Sequence, residues 1–221
     1  MELILDKQKL FSDLNEDPFK PHILIDNHLS KQYPNTYNKD VGVWEKYTLR
    51  QHTIMVLRQF EKYFSHQIIH TKIKTDLFRL ILAVHDIGKP ESVLKGEKHK
   101  HHSYNKQYVD QLFKVLQIDS FHTNIALTLV DGDPIGKFIR NKMNKEETIA
   151  ILKKKANITG IKLIDFFKIQ CIFYKVDAGS YTLNAGGKKS LDFLFEFNEQ
   201  KGEMNFSSKY QERINQLNLT K

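Results

Sequence analysis

The amino-acid sequence predicts an all-α protein. Apolar residues recur three and four positions apart along most of the chain, which is the spacing of one face of an α-helix. Turn-forming residues divide this pattern into segments of helical length. The chain has 221 residues, of which 40% are hydrophobic and 27% charged. This composition is typical of a globular protein that can bury a full core, and it argues against a collagen, a disordered tail or a membrane channel.

The first 43 residues are predicted to form an irregular N-terminal arm. A short helix is expected to end near Asp13, but the segment after it contains Pro18, Pro21, Pro34 and several asparagines. Proline fixes the backbone angle φ and lacks an N–H donor, so we expect neither a regular helix nor a strand over residues 16–41.

Seven predicted helices follow the arm. Gly88 and Pro90 end the second helix, the Lys- and His-rich segment 92–102 is predicted to be an exposed loop, and the sequence GDP at 132–134 interrupts the fourth helix. A short apolar segment at 191–197 precedes the last helix. The predicted helices span 43–64, 75–85, a segment from about 104 to 116, 119–130, 146–155, 162–181 and 207–217.

The sequence predicts a cytoplasmic protein without membrane contact. Its longest aliphatic run is the five residues 80–84, far short of the ~20 apolar residues that span a bilayer. The first residues do not have the pattern of a signal peptide. Cys171 is the single cysteine, so no intrachain disulfide can form.

The net charge of +8 is concentrated in one part of the chain. Residues 137–162 contain eight basic and two acidic side chains, a local charge of +6. One interpretation is a solvated helix face. The other is a basic rim that attracts anionic substrates to a nearby site.

Histidines and aspartates near predicted helix ends are the most informative feature. His85 and Asp86 close the second helix, His52 lies in the helix before it, and Asp177 lies in a late apolar helix. Imidazole and carboxylate together suit divalent Mn, Fe, Co, Ni or Mg. Taken singly, His52 could be a core histidine and Asp177 a partner of a lysine or arginine. Their joint order favours a metal site.

This order resembles the HD-domain superfamily of metal-dependent phosphohydrolases, and it is most similar to HD domains of nucleotide-processing proteins. The resemblance implies an HD-domain helical bundle over 44–182, preceded by the arm at 1–43 and followed by a C-terminal helical extension at 183–221 packed on the same domain. It also implies that one or two divalent ions are held through an H…HD…D arrangement. The residues that match this arrangement are His52, His85, Asp86 and Asp177.

The resemblance also implies two further positions that could supply ligands to a second metal ion. At the start of the third helix, counting back from the apolar positions favours His101 as a ligand, with His102 as the alternative; a flexible basic loop is the competing interpretation. At the end of the fourth helix the family's histidine is missing, and Asp131 is the candidate ligand. Asp131 and Asp133 are equally well explained as caps of the following helix.

The resemblance implies hydrolysis of a phosphate ester by metal-activated water. We expect Asp86 and Lys89 to be catalytic, with Lys89 also pairing with a substrate phosphate. Weaker candidates for substrate binding are Arg50, Arg140 and Ser180. The expected partner is a small phosphorylated substrate, with a nucleotide favoured and nucleic acid less so, and a homodimer is compatible with the sequence.

Two other functions are compatible with the same residues. One is a non-catalytic HD module that binds a nucleotide or RNA, and the other is an HD-fold di-iron oxygenase. The missing histidine of the fourth helix counts against the oxygenase. An RNA-binding module would lose affinity steeply as salt rises.

Overall fold

A computed structural model describes residues 5–68 and 71–219, and most of these residues are helical. This confirms the predicted all-α class. The helices are α1 (Lys7–Leu14), α2 (Leu49–Tyr63), α3 (Ser65–Ile68), α4 (Thr75–Val84), α5 (Lys89–Leu94), α6 (His101–Val115), α7 (Ser120–Val130), α8 (Pro134–Ile139), α9 (Lys145–Thr159), α10 (Leu163–Gly179) and α11 (Ser208–Asn215). Short 3₁₀ turns lie at Lys98–Lys100, Leu183–Ala185 and Asp192–Leu194.

The N-terminal arm is more regular than the sequence predicts. Three consecutive helical stretches, Pro21–Ile23, Leu24–Leu29 and Ser30–Gln32, form one run, and the middle stretch is a π-helix. Pro21 stands in the first turn, where a missing N–H removes no helical hydrogen bond. Burial of the apolar residues of this run explains why it is ordered.

Helix α2 begins at a capping box and not at residue 43. The Gln51 backbone N–H donates to Thr48 Oγ1 at 3.2 Å, and the Thr48 N–H donates to Gln51 Oε1 at 2.9 Å. These two bonds satisfy N–H groups that a helix start leaves unpaired. The residues before Thr48 form a turn instead, in which Lys46 has a φ of 57°. The box fixes the first turn of α2, which carries His52.

We expect Thr48→Ala to lower the free energy of unfolding by about 1 kcal/mol, because it removes the capping hydroxyl. In a chain of this size that corresponds to a fall in Tm of about 2–4 °C. Thermal unfolding followed by circular dichroism would measure the change. Ser103→Ala, on the exposed face of α6, is the control and should leave the Tm nearly unchanged. An equal Tm for Thr48→Ala and the parent protein would contradict the role of the cap.

One hydrophobic core draws residues from the arm, the central helices and the C-terminal segment. Helix α2 packs against α4 and α10, and α10 also packs against α9. The Tyr37 hydroxyl donates to the Ala83 carbonyl at 2.9 Å, which ties the arm to the end of α4. The ends of α2, α4 and α10 therefore meet at one place in the core.

The C-terminal segment contains a β-hairpin that the sequence does not predict. Strand β1 (Phe195–Asn198) pairs antiparallel with β2 (Glu203–Phe206), and Phe195 lies opposite Phe206. The predicted last helix is present as α11. Within residues 5–68 and 71–219, none of the helices combines the length and the apolarity that crossing a bilayer demands.

Candidate metal centre

Four side chains each bring one potential ligand atom to the place where α2, α4 and α10 meet. These atoms all lie within 4.8 Å of one another. The side chains are those of His52, His85, Asp86 and Asp177. The convergence expected from the sequence order is therefore present.

The separations of these atoms fit one shared ion. His52 Nε2 lies 3.1 Å from Asp86 Oδ2 and 3.2 Å from Asp177 Oδ1. His85 Nε2 lies 3.3 Å and 3.4 Å from the same two oxygens, and the two Nε2 atoms are 3.2 Å apart. Ligands ~2.1 Å from a common ion are about 3.0 Å apart at right angles and about 3.4 Å apart at tetrahedral angles.

The local helix geometry explains how each ligand reaches the cluster. His52 lies in the first turn of α2, and His85 and Asp86 follow directly after the last residue of α4. Asp177 lies in the last turn of α10. All four residues stand at helix ends. Their side chains can therefore converge on one point from three different helices.

Hydrogen bonds on the far side of both imidazoles hold their Nε2 atoms toward the cluster. His85 Nδ1 donates to the Leu82 carbonyl at 2.7 Å. Ser180 Oγ donates to the Asp177 carbonyl at 2.6 Å, so it accepts from His52 Nδ1 at 3.2 Å. In their neutral forms both rings then carry the proton on Nδ1, an assignment that follows from the hydrogen-bond network. When both rings are neutral, two unprotonated Nε2 atoms and two carboxylates converge. These are suitable ligands for a metal cation.

The electrostatics of the cluster favour a positive charge between its two carboxylates, in addition to Lys89. Burial would lower the pKa of His85, but Asp86 and Asp177 raise it to about 10. Burial would raise the pKa of Asp86, but Lys89 and His85 hold it well below its usual range. The pKa of Asp177 is likewise lowered, against burial, by hydrogen bonds with both histidines. A proton on His85 or a divalent ion can supply the charge, and metal binding would displace the proton.

Lys89 contacts the cluster directly. Its ammonium pairs with Asp86 Oδ2, and its side chain is 18% exposed. Burial would lower the pKa of Lys89, but Asp86 and the nearby Tyr181 and Asp177 raise it, so it stays charged. The Tyr181 ring packs 5.1 Å from the ring of His52. Lys89 and Tyr181 therefore line the cluster on the side of α5.

Asn105 supports the cluster, a role that was not predicted from the sequence. Its Oδ1 accepts the Gly88 N–H at 2.8 Å, and its Nδ2 lies 3.4 Å from Asp86 Oδ1. A Cβ on Gly88 would lie 2.5 Å from the backbone of Tyr104 and Asn105, so only glycine allows this approach of α6. Gly88, two residues after Asp86, is the feature of the sequence that could have indicated this close contact with α6.

A small cavity of about 40 Å³ adjoins the cluster, and its volume is sufficient for at least one water molecule. Its wall includes His85, Asp86, Asp177, His102 and Asp133. Burial and the neighbouring His101 lower the pKa of His102 to about 4, so this imidazole is neutral near pH 7. His102 Nδ1 is bonded to the Val130 carbonyl at 3.1 Å, which leaves Nε2 as an acceptor.

The two adjacent histidines lie in different surroundings, and His102, the alternative ligand, is the one in the cavity wall. His101 Nδ1 bonds to the Lys98 carbonyl at 2.7 Å, and His101 is not part of the cavity wall. The buried face of α6 follows Asn105 and Val109, whereas Tyr104 and Tyr108 are only half-buried. Counting from the tyrosines therefore favoured His101, although His102 is the one that lines the cavity, and a metal-binding role for either histidine stays a prediction.

Asp131 lies away from the cavity. Its carboxylate is exposed and pairs with Lys106 at 3.2 Å. Asp133 lines the cavity instead, and its Oδ1 accepts the Gly136 N–H at 2.7 Å as the cap of α8. Burial raises the pKa of Asp133. The capping interpretation therefore holds for Asp133, and the ligand hypothesis for Asp131 has no geometric support.

The three weaker candidates for substrate binding differ in how far they are buried and in what they contact. Arg50 forms two hydrogen bonds with Asp26, at 2.7 Å and 2.6 Å, and Arg140 pairs with Asp133 at 3.0 Å. Ser180 is fully buried behind His52 and orients that ring. None of these three residues is part of the cavity wall, but Arg140 pairs with Asp133, which is.

Comparisons of the chain with protein-family models, with curated protein sequences and with solved structures found no match.

Proposed function

We propose that this chain is an HD-type phosphohydrolase that cleaves a phosphate ester of a nucleotide or another small phosphorylated metabolite. The proposal rests on one observation, the buried convergence of two imidazole nitrogens and two carboxylate oxygens with a lysine at its edge. A divalent ion held there would provide a water nucleophile of lowered pKa and would draw charge from the phosphoryl oxygens.

The residues around the cluster have separate tasks in this proposal. Ser180 and the Leu82 carbonyl orient the two imidazoles, and Asn105 orients Asp86. Lys89 keeps its proton and offers a point charge to a substrate phosphate. His102 is neutral and can accept a hydrogen bond in the cavity.

The basic segment 137–162 suits an anionic substrate. It includes the second half of α8 and all of α9, and Arg140, which directly follows α8, contacts Asp133 in the wall of the cavity. A positive surface beside a site raises the association rate of anions, and salt weakens this effect. The charge thus supports a phosphorylated substrate in preference to an uncharged one.

The test is a substrate panel assayed with each metal. Mono-, di-, tri- and cyclic nucleotides and sugar phosphates would be incubated with Mn, Fe, Co, Ni or Mg, and products would be separated by chromatography. We expect turnover of at least one compound, with loss of activity on chelation. Asp177→Asn keeps the shape of the side chain and removes its charge, and we expect it to retain less than about 1% of the activity.

Two results would contradict the proposal. One is the absence of metal uptake under every reconstitution, and the other is metal uptake without turnover of any compound. The second result, with binding of nucleotide or RNA that weakens steeply in salt, would identify a non-catalytic module.

A further inference from the structure

A second cavity, of about 540 Å³, lies on the opposite side of α10 from the metal cluster. Residues two positions apart on a helix point about 160° away from each other, so Lys175 and Asp177 occupy opposite faces. The cavity volume falls within the ~300–1,000 Å³ that is usual for small-molecule sites. This cavity is therefore separate from the candidate metal centre.

Seven of the fourteen residues that line this cavity are apolar. Ile172 of α10, Phe206 of β2 and Ile214 of α11 are buried residues that contribute to it. Cys171, the single cysteine of the chain, also lies in the wall and is half-buried. Such a wall suits the hydrocarbon part of a ligand.

Lys175 brings a positive charge into these apolar surroundings. Its Nζ lies 5.0 Å from the centre of the Phe206 ring and 5.6 Å from that of Phe64. Its hydrogen bond is a long one, 3.4 Å to the Met204 carbonyl, and no carboxylate within the described residues pairs with it. An ammonium group largely removed from water is costly without a counter-charge.

The cavity combines a volume suited to a small molecule, an apolar part of its wall and one largely buried cation without an acidic partner. Lys72 and Lys168 also lie in the wall and add positive charge at its exposed edge, while Asp165 is the acidic residue of the lining. The ligand that satisfies all three properties carries one negative charge on an apolar body. A neutral ligand would leave Lys175 unpaired, and a cationic ligand would be repelled.

We propose that this cavity binds a medium-chain carboxylate, with Lys175 pairing with the carboxylate and Ile172, Phe206 and Ile214 enclosing the hydrocarbon chain. This site is independent of the function proposed for the metal cluster. It gives the chain a binding site for an amphipathic anion on the outer face of the helix that carries Asp177.

Isothermal titration calorimetry, in which decanoate is titrated into the full chain, tests the proposal. We expect saturable binding with a stoichiometry of one, and decylammonium, with the same chain length and opposite charge, should not compete. Lys175→Met should weaken decanoate binding by about 10- to 100-fold, the effect of one charged hydrogen bond. Lys154→Met removes the same charge from an exposed position on α9 and should leave the affinity unchanged.

Cys171 allows the site to be located in the parent protein, which avoids reliance on a variant that fails to fold. Decanoate should slow modification of Cys171 by a small uncharged thiol reagent, and decylammonium should not. Equal protection by both compounds, absence of decanoate binding, or equal decanoate affinity in Lys175→Met would each overturn the proposal.

Discussion

Replacing His85 by alanine should lower the affinity for divalent metal by at least about 100-fold. Loss of a group that only orients a ligand already reduces metal affinity by about 10- to 100-fold, and His85 is itself in position to be a ligand. Its Nε2 lies between 3.2 Å and 3.4 Å from the nearest donor atoms of His52, Asp86 and Asp177. Metal content after reconstitution and gel filtration, measured by elemental analysis, would show the loss.

Thermal unfolding provides a second readout of the same prediction. A metal present at 100 times its Kd stabilises the folded state by about 2.7 kcal/mol, because it binds only that state. For a chain of this length we expect a rise in Tm of about 5–10 °C in the parent protein. The same metal concentration should hardly change the Tm of the His85→Ala protein.

His101→Ala is the matched control for this prediction. It makes the same substitution at a histidine whose Nδ1 bonds to the Lys98 carbonyl and which does not belong to the four-residue cluster. Metal content and the metal-induced rise in Tm should stay at the parent level. Equal loss of metal in both variants would contradict the assignment of the cluster, as would full metal retention in a cooperatively folded His85→Ala protein.

The positions of the four cluster residues could be predicted because they depend on helix ends. Gly88 and Pro90 mark the end of α4, which places His85 and Asp86 beyond its last turn. The segment around Asp177 could be predicted to be a buried helix because it is long and largely apolar. The distance between these helix ends could not be predicted from local sequence, because it depends on how α2, α4 and α10 pack.

Which of His101 and His102 lines the cavity could not be predicted, because the buried face of α6 contains a polar residue. Asn105 is 1% exposed and binds Gly88, yet a count of apolar positions excludes it. The half-buried Tyr104 and Tyr108 entered the count in its place, and their hydroxyls bond to glutamates nearer the surface. A buried side chain with a specific hydrogen-bond partner therefore defeated a rule based on hydrophobicity.

The hairpin and the helical run 21–32 depend on contacts that are distant in sequence. Phe206 of β2 stacks on Tyr174 of α10 with ring centres 6.0 Å apart, and Met204 lies against Gly179. Each strand has four residues, too few for an alternating pattern to be distinguished from a helical one. In the arm, prolines indicated irregular structure, whereas burial of the apolar residues favoured helix.

Under the proposed function, Lys89→Met should lower kcat/KM by about 100- to 1,000-fold and leave the metal content unchanged. Removal of one donor aimed at developing charge costs about 2.7–4 kcal/mol of transition-state stabilisation, which corresponds to that range. Lys89 suits this role because it is charged, largely buried and in contact with Asp86. Methionine keeps most of the volume of the side chain, so the fold should persist.

The control for Lys89 is Lys95→Met. Lys95 pairs with Glu91 on the surface of the same segment, and its side chain is 52% exposed. Steady-state kinetics and elemental analysis of both variants separate the two roles that Lys89 could have. Loss of metal in Lys89→Met would show that the lysine only holds Asp86 in place, because a group that acts on substrate is not needed for the ion to bind. Equal kcat/KM in both variants, with metal retained, would show that Lys89 does not act on the substrate. The basic segment 137–162 would then be the candidate for binding the substrate phosphate.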